Sequence, residues 1–229
     1  MTAESYTIHS TATIGESCTI HSTAVIGADC TIGNGVVIGK GVLIGNGSNI
    51  GARAVIQEGV TIGNGSNIGE RTVIQERTTI GNESKIGGWV VIGESVKIGL
   101  AVIVEDEAVI GNWAKIGDWA KIGEKAKIGP VAIIGTRVKI GEGAKIDPDV
   151  NVNHHTVVPY VILPRWTVSL SAPNVVTVGD QTHAIEEWLR KGPSRIPWND
   201  FTTKDKAMIL QVIRLIRDLD KASPIFAKS

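Results

Sequence analysis

The sequence predicts an all-β fold: a parallel β-helix of triangular coils, followed by a C-terminal extension of short strands and two helices. Three observations predict it. From Ile8 to Val158 every sixth residue is aliphatic, 26 positions in register, and only Val104, Val152 and Val158 are not Ile. Two residues before each sits a small or β-branched residue, as at Ala12, Cys18, Ala24, Cys30, Val36, Val42, Ser48 and Ala54. The residue after is usually Gly, followed by Asn, Glu or Asp, as in Ile-Gly-Asn-Gly at 44–47 and 62–65.

A period of six fits neither a helix nor a lone strand. It fits a short strand and a bend repeating as one unit. Strand side chains alternate, so positions i−2 and i point the same way, inward. Gly at i+1 and the Gly-or-polar pair after it supply the φ > 0 or polar chemistry of a bend. Three such units close one coil, and the coil period is visible when VIQEGVTIGNGSNIGERT (55–72) is set against VIQERTTIGNESKIGGWV (73–90). Hexapeptide repeats of this kind build parallel β-helices. Twenty-six units make between eight and nine coils, a prism roughly 40 Å long at about 4.8 Å per coil.

The [Ile/Val]-Gly-x-x-[small]-x run resembles the left-handed β-helix of the hexapeptide-repeat transferase superfamily, over about two thirds of the chain. The resemblance implies the left hand, against the usual crossover preference. It also implies a superfamily of acyltransferases of sugars, nucleotide sugars and amino acids, γ-class carbonic anhydrases and non-catalytic subunits. Most of these are trimers with ligands in clefts between neighbouring prisms.

The chain divides into a β-helix over 1–158 and an extension over 159–229 that packs on the prism or on a neighbouring subunit. Pro159, Pro164 and Pro173 break the period, and VIL (161–163), TVSL (167–170) and VVTV (175–178) predict short strands. THAIEEWLRKG predicts a helix capped by Thr182, with Glu186 and Glu187 early, Arg190 and Lys191 late, and Gly192-Pro193 as its stop. A second helix is expected from about 203 to 222, with Ile209, Val212, Ile213, Ile216 and Leu219 in one apolar stripe that Met208 and Leu215 widen. Lys plus Arg and Asp plus Glu balance at 23 each, so no global field favours nucleic acid or an anionic membrane. The N-terminal residues lack a basic and apolar leader, and no apolar run is long enough to span a bilayer, which predicts a cytoplasmic protein. Cys18 and Cys30 both take the inward i−2 position on different faces and are expected as free thiols.

The outward position, i−1, differs by face. One face presents Val37, Val55, Val73, Val91 and Val109, an apolar ladder expected to meet a neighbouring subunit of a homotrimer or the C-terminal helix. Arg53 and Arg71 stack at the corner leading into that face, with Trp89 next in the column; Gln57 and Gln75 replace Gly at its far corner. A guanidinium and an amide flanking an apolar floor, with an indole for stacking, suit a small anionic ligand held between subunits. Trp113 and Trp119 fall on the other two corners. Lys85, Lys97, Lys115, Lys121, Lys127, Lys139 and Lys145 spread over all three faces, with Glu94, Asp118, Glu124 and Glu142 at nearby corners, and predict a solvated, charge-balanced surface. Outward threonines are too scattered for a flat ice-binding ladder.

Acyl transfer needs a neutral imidazole to take a proton from the attacking amine or hydroxyl. The resemblance implies that this histidine lies in or beside the coils, but none occurs between Ser22 and Asn153. His9 and His21 sit at Gly-type corners on different edges, which leaves His154, His155 and His183 as the candidate bases. A γ-carbonic-anhydrase centre would need three imidazoles on one zinc, and no metal ligand set is predicted. The sequence therefore predicts a non-catalytic homotrimer, a scaffold or a binder of a small anionic ligand or partner at inter-subunit clefts, with no cofactor. The alternative is an acyltransferase moving an acyl group from acyl-CoA to a small amine or sugar. A γ-carbonic-anhydrase-like metal protein is the weaker alternative.

Overall fold

Twenty-six strands of two residues each, from β1 (Thr7–Ile8) to β26 (Val157–Val158), recur every six residues. The computed structural model describes residues 7–152, 157–158, 160–163, 166–172, 175–178, 181–195, 209–210, 213–214 and 217. Every third strand joins the same sheet, giving three parallel sheets of nine, nine and eight strands. The register advances by one full coil at every pairing and never slips, so that Ile62 pairs with Ile80 and Ile68 with Ile86. The architecture is the three-sided parallel β-helix that the six-residue period predicts.

Each strand contributes one outward residue and one inward aliphatic. From Ile26 to Val152 the inward position is buried in every coil, each side chain stacked on its counterpart above and below. Full burial of such a side chain contributes about 1.5–3 kcal/mol, and the repetition of that contribution offsets the weakness of two-residue strands. Ile8, Ile14 and Ile20 in the first coil are only half-buried, packed against the coil on one side.

The i−2 position also points inward, and among the described residues five of its buried occupants are polar: Ser48, Ser66, Thr72, Thr78 and Ser84. Each hydroxyl donates to a glycine carbonyl of a corner in the next coil, as Ser48 Oγ does to Gly63 O at 2.9 Å and Thr78 Oγ1 to Gly93 O at 2.8 Å. Cys18 and Cys30 use the same geometry, with each Sγ 3.1 Å from the carbonyl oxygen of Gly33 and Gly45. Both thiols are free.

The corners divide their work between two positions. The residue with φ > 0 is i+3, filled by Gly at six corners and by sixteen other residues, among them Arg53, Arg71, Trp89 and Val131. The Gly at i+1 has a different task. A Cβ on Gly45 would fall 2.6 Å from the amide nitrogen of Asn64 in the next coil, so that position must be bare for coils to stack. The φ > 0 and polar chemistry expected of the i+1 Gly and the pair after it thus falls to the pair. Asn at i+2 completes the bend: Asn64 Oδ1 accepts the Asn46 N–H at 2.8 Å, and Asn82 Oδ1 the Asn64 N–H at 2.9 Å.

Beyond the coils, β27 (Tyr160–Leu163), β28 (Trp166–Ala172), β29 (Val175–Val178) and β30 (Gln181–Ala184) form an antiparallel sheet in sequence order. β28 lies against the last strand of the valine face, Lys145–Ile146. Two expectations need correction here. Thr182 does not cap a helix: residues 181–184 zip onto 175–178, with Thr182 opposite Thr177 and His183 opposite Val176, so their amides serve a sheet. Helix α1 (Ile185–Arg195) starts later and runs through Gly192-Pro193 rather than stopping there. Its Trp188 is buried and donates Nε1–H to the Val176 carbonyl at 2.8 Å. Residues 209, 210, 213, 214 and 217 are all helical, with Ile209, Leu210 and Ile213 buried and Arg214 exposed. No described helix is long and apolar enough to cross a membrane.

Candidate functional site

The valine ladder forms as its spacing requires. Val37, Val55, Val73, Val91 and Val109 pair in sequence up one sheet, each one coil from the next. Thr19 precedes them and Lys127 follows. Val37, Val91 and Val109 are exposed and Val55 and Val73 half-buried. An apolar strip on successive strands thus faces away from the core.

Its entering corner carries Arg53, Arg71 and Trp89 in one column. All three hold the positive-φ position, at 60°, 55° and 58°. Each N–H reaches back to the preceding coil, Arg53 to Asn34 O, Arg71 to Ala52 O and Trp89 to Glu70 O, all at 2.9 Å. That conformation leaves Arg53 and Trp89 exposed, and it stacks the Arg71 guanidinium over the Trp89 indole at 4.3 Å from the ring centroid. The leaving corner carries Gln57 and Gln75, both half-buried, with backbone amides bonded to Ile74 O and Ile92 O. The five predicted residues therefore border opposite edges of one apolar floor.

A column beside the glutamines was not anticipated. Glu58, Glu76 and Glu94 stand one above another, a coil apart, at i+2 of the leaving corner. Lys40 approaches Glu58 at 3.7 Å, and Arg77 pairs with Glu76 at 3.8 Å and with Glu94. The floor thus has a guanidinium and indole rim on one side and a row of carboxylates paired with Lys40 and Arg77 on the other. Aligning the turn acids coil by coil was the signal that would have exposed it.

The histidines take other roles. His9 Nδ1 accepts the Thr11 N–H at 3.3 Å and lies 3.0 Å from Thr11 Oγ1; His21 makes the same pair with Thr23 at 3.2 and 3.0 Å. Those threonine hydroxyls accept the Asp29 and Gly41 amides of the next coil at 2.8 and 2.9 Å. Both rings build turns on different corners and do not fit a shared zinc. Among the described residues no group of three His, Cys, Asp or Glu is placed to hold a metal. His154 and His155 lie outside the described residues. The backbone of His183 belongs to β30 rather than to the start of a helix.

The outward lysines are solvated, and few of them are paired. Of the seven outward lysines, only Lys121 has an ion pair among the described residues, with Glu105 at 2.6 Å. Lys125, at a corner, pairs with Glu124 at 2.5 Å and Glu107 at 3.8 Å. The hydrogen bond that Lys125 donates to Glu124, then the charge of Glu107, raises the Lys125 pKa above its ordinary 10.5.

The uninterrupted six-residue repeat and its three parallel sheets define a hexapeptide-repeat β-helix protein. The family described as the GMPPB C-terminal domain matches residues 2–113. No curated protein matches the sequence. Among solved structures, the acetyltransferase domain of PglB from Neisseria gonorrhoeae is similar at 16% identity and a TM-score of 0.41, covering 44% of this chain. This chain spans about half of that domain, 51%. The UDP-N-acetylglucosamine acyltransferase of Francisella novicida is similar at 19% identity and a TM-score of 0.28, covering 95% of this chain and 88% of its own. LpxA from Acinetobacter baumannii is similar at 22% identity and a TM-score of 0.29, covering 95% and 92%.

Proposed function

We propose that the chain acts as an assembly and binding module, a homotrimeric scaffold that holds a small anionic ligand or partner where its prisms meet. The observation that carries this reading is the Val37–Val109 ladder between its two charged rims. An exposed apolar strip of this length is costly in water and is the kind of surface a partner covers. Valine suits such a contact because it is stiff and loses little freedom on burial. The Glu58, Glu76 and Glu94 carboxylates already have Lys40 and Arg77 as partners, so a second copy's guanidinium edge would exchange partners there, which bears on register more than on affinity. Arg53 and Arg71 then stand beside the seam, able to grip a carboxylate or phosphate with paired donors. The free thiols of Cys18 and Cys30 fit a reducing compartment such as the cytoplasm.

Sedimentation velocity tests the assembly. Val73→Glu with Val91→Glu is expected to give monomers where the unmodified protein gives trimers; a wild-type monomer overturns the reading. For the ligand, Arg53→Ala with Arg71→Ala is expected to abolish binding of small dicarboxylates and phosphate measured by calorimetry.

Acyl transfer from acyl-CoA to a small amine or sugar is the second reading, and it is the activity that the similar solved structures carry in their names. Its base would come from His154, His155 or His183. Thiol release from acetyl-CoA with a panel of amines and amino sugars tests it, and turnover lost in His154→Ala or His155→Ala would move the chain into that class.

A further inference from the structure

The six-residue period places lysines directly above one another at three points: Lys97 on Lys115, Lys121 on Lys139, and Lys127 on Lys145. Paired strands lie about 4.8 Å apart, and like charges at that spacing are destabilising. The three stacks are not equivalent. Lys121 is relieved by Glu105. Lys127 and Lys145 stand on the valine face. Lys97 and Lys115 have no carboxylate partner among the described residues, and both line a groove of about 490 Å3.

That groove runs along the sheet that begins at Thr7–Ile8. Ile133 continues the column above Lys115, and Asn151 continues it above Ile133. Thr136 stands at the adjoining corner. The glycines of that corner, Gly99, Gly117 and Gly135, also line it. Two ammonium groups in register, an apolar floor at Ile133, and hydroxyl and amide groups at Thr136 and Asn151 describe a site for a compact dianion with an organic tail.

We infer that this groove binds a diphosphate group, with Lys97 and Lys115 each facing one phosphoryl unit. The chemistry follows from spacing. A single carboxylate satisfies one ammonium, whereas two linked phosphoryl groups neutralise both and remove the repulsion between them. Lysine suits this task as a mobile point charge that follows its ligand. The site lies on a different face from the valine ladder and does not depend on that surface assembling.

Calorimetric titration of the full chain with inorganic diphosphate at low ionic strength tests the inference. The expected result, measured in the Arg53→Ala with Arg71→Ala background, is saturable binding at one site per chain, at least tenfold tighter than inorganic phosphate under the same conditions and weakened by salt. Lys97→Met with Lys115→Met keeps most of each stem and is expected to lower affinity at least tenfold, with an unchanged thermal melt confirming the coils. Lys127→Met with Lys145→Met removes an equal charge from a stack outside that groove and is expected to leave affinity within twofold. Absence of binding to the wild type overturns the inference. So does equal loss in the two variants, which would mean attraction to total charge. Because the arginine site proposed beside the valine face is absent from the Arg53→Ala with Arg71→Ala background, failure here and failure at the valine face are separable.

Discussion

The guanidinium of Arg71 lies over the indole of Trp89, 4.3 Å from its centroid, although the two residues are a full coil apart in sequence. Each stands at a positive φ at the same corner of successive coils, so the contact is made by the coil period rather than by a local turn. A partly exposed cation–π contact contributes about 0.5–1 kcal/mol. A double-mutant cycle with Arg71→Ala and Trp89→Ala, measured by urea unfolding, is expected to give a coupling of that size. A coupling within error of zero would mean that the stack contributes nothing in solution.

Two glycines of one corner separate two reasons for keeping backbone bare. A Cβ on Gly45 meets the Asn64 amide nitrogen at 2.6 Å, whereas Gly47 has φ +66 and open space. Gly45→Ala forces two coils apart and is expected to cost about 2–3 kcal/mol. Gly47→Ala meets only the conformational penalty, about 1 kcal/mol after the smaller entropy of its unfolded chain. Equal costs for the two would mean that stacking is looser than the geometry implies.

Thr78 donates to Gly93 O at 2.8 Å and accepts from Val96 N at 3.2 Å, fully buried. Thr78→Val preserves shape and strands both partners without a hydroxyl. The expected loss is about 1–3 kcal/mol in unfolding free energy. A neutral outcome would show that the backbone groups find other partners.

Val131 is β-branched yet holds φ 62, a conformation such residues rarely adopt. Val131→Gly is expected to raise stability by about 0.5–1 kcal/mol, since release of the left-handed penalty exceeds the added entropy of an unfolded glycine. A lower melting temperature in the variant would contradict this and point to a contact made by the exposed isopropyl group.

The Lys125 pKa is raised above 10.5 by Glu124 and then Glu107. A group whose pKa rises on folding stabilises the fold below its unfolded value, and that contribution fades as pH climbs through the folded one. Wild type and Lys125→Met should therefore converge in melting temperature at strongly alkaline pH and differ slightly at neutral pH. The group is fully exposed, so the difference is expected to be small.

How much of this was legible in the sequence depends on which period a residue obeys. The inward Ile at every sixth position and the ladder at every eighteenth were legible because burial and register both follow from counting. The division of the corner into a bare i+1 and a positive-φ i+3 was not, because Gly occurs at both and composition does not say which glycine is crowded. Thr182 was misleading: it has the chemistry of a helix cap, yet pairing with Thr177 satisfies its backbone first. At the candidate site, Arg53, Arg71, Trp89, Gln57 and Gln75 were legible as columns. The Glu58, Glu76 and Glu94 rim was hidden because each acid taken singly is an ordinary turn residue. The pairing state of the lysines was also hidden, since a carboxylate nearby in sequence can stand on another corner.

The unbroken register has a consequence for how such a rod can change length. Removing or adding a whole coil shifts everything beyond that point along the axis and leaves every bearing the same. Removing a single repeat unit keeps each isoleucine inside, so the core tolerates it, but swings the valines, the stacked lysines and the terminal sheet by about a third of a revolution relative to the start. Two quanta therefore govern this molecule: one that the interior can count, and a coarser one that only the outside can.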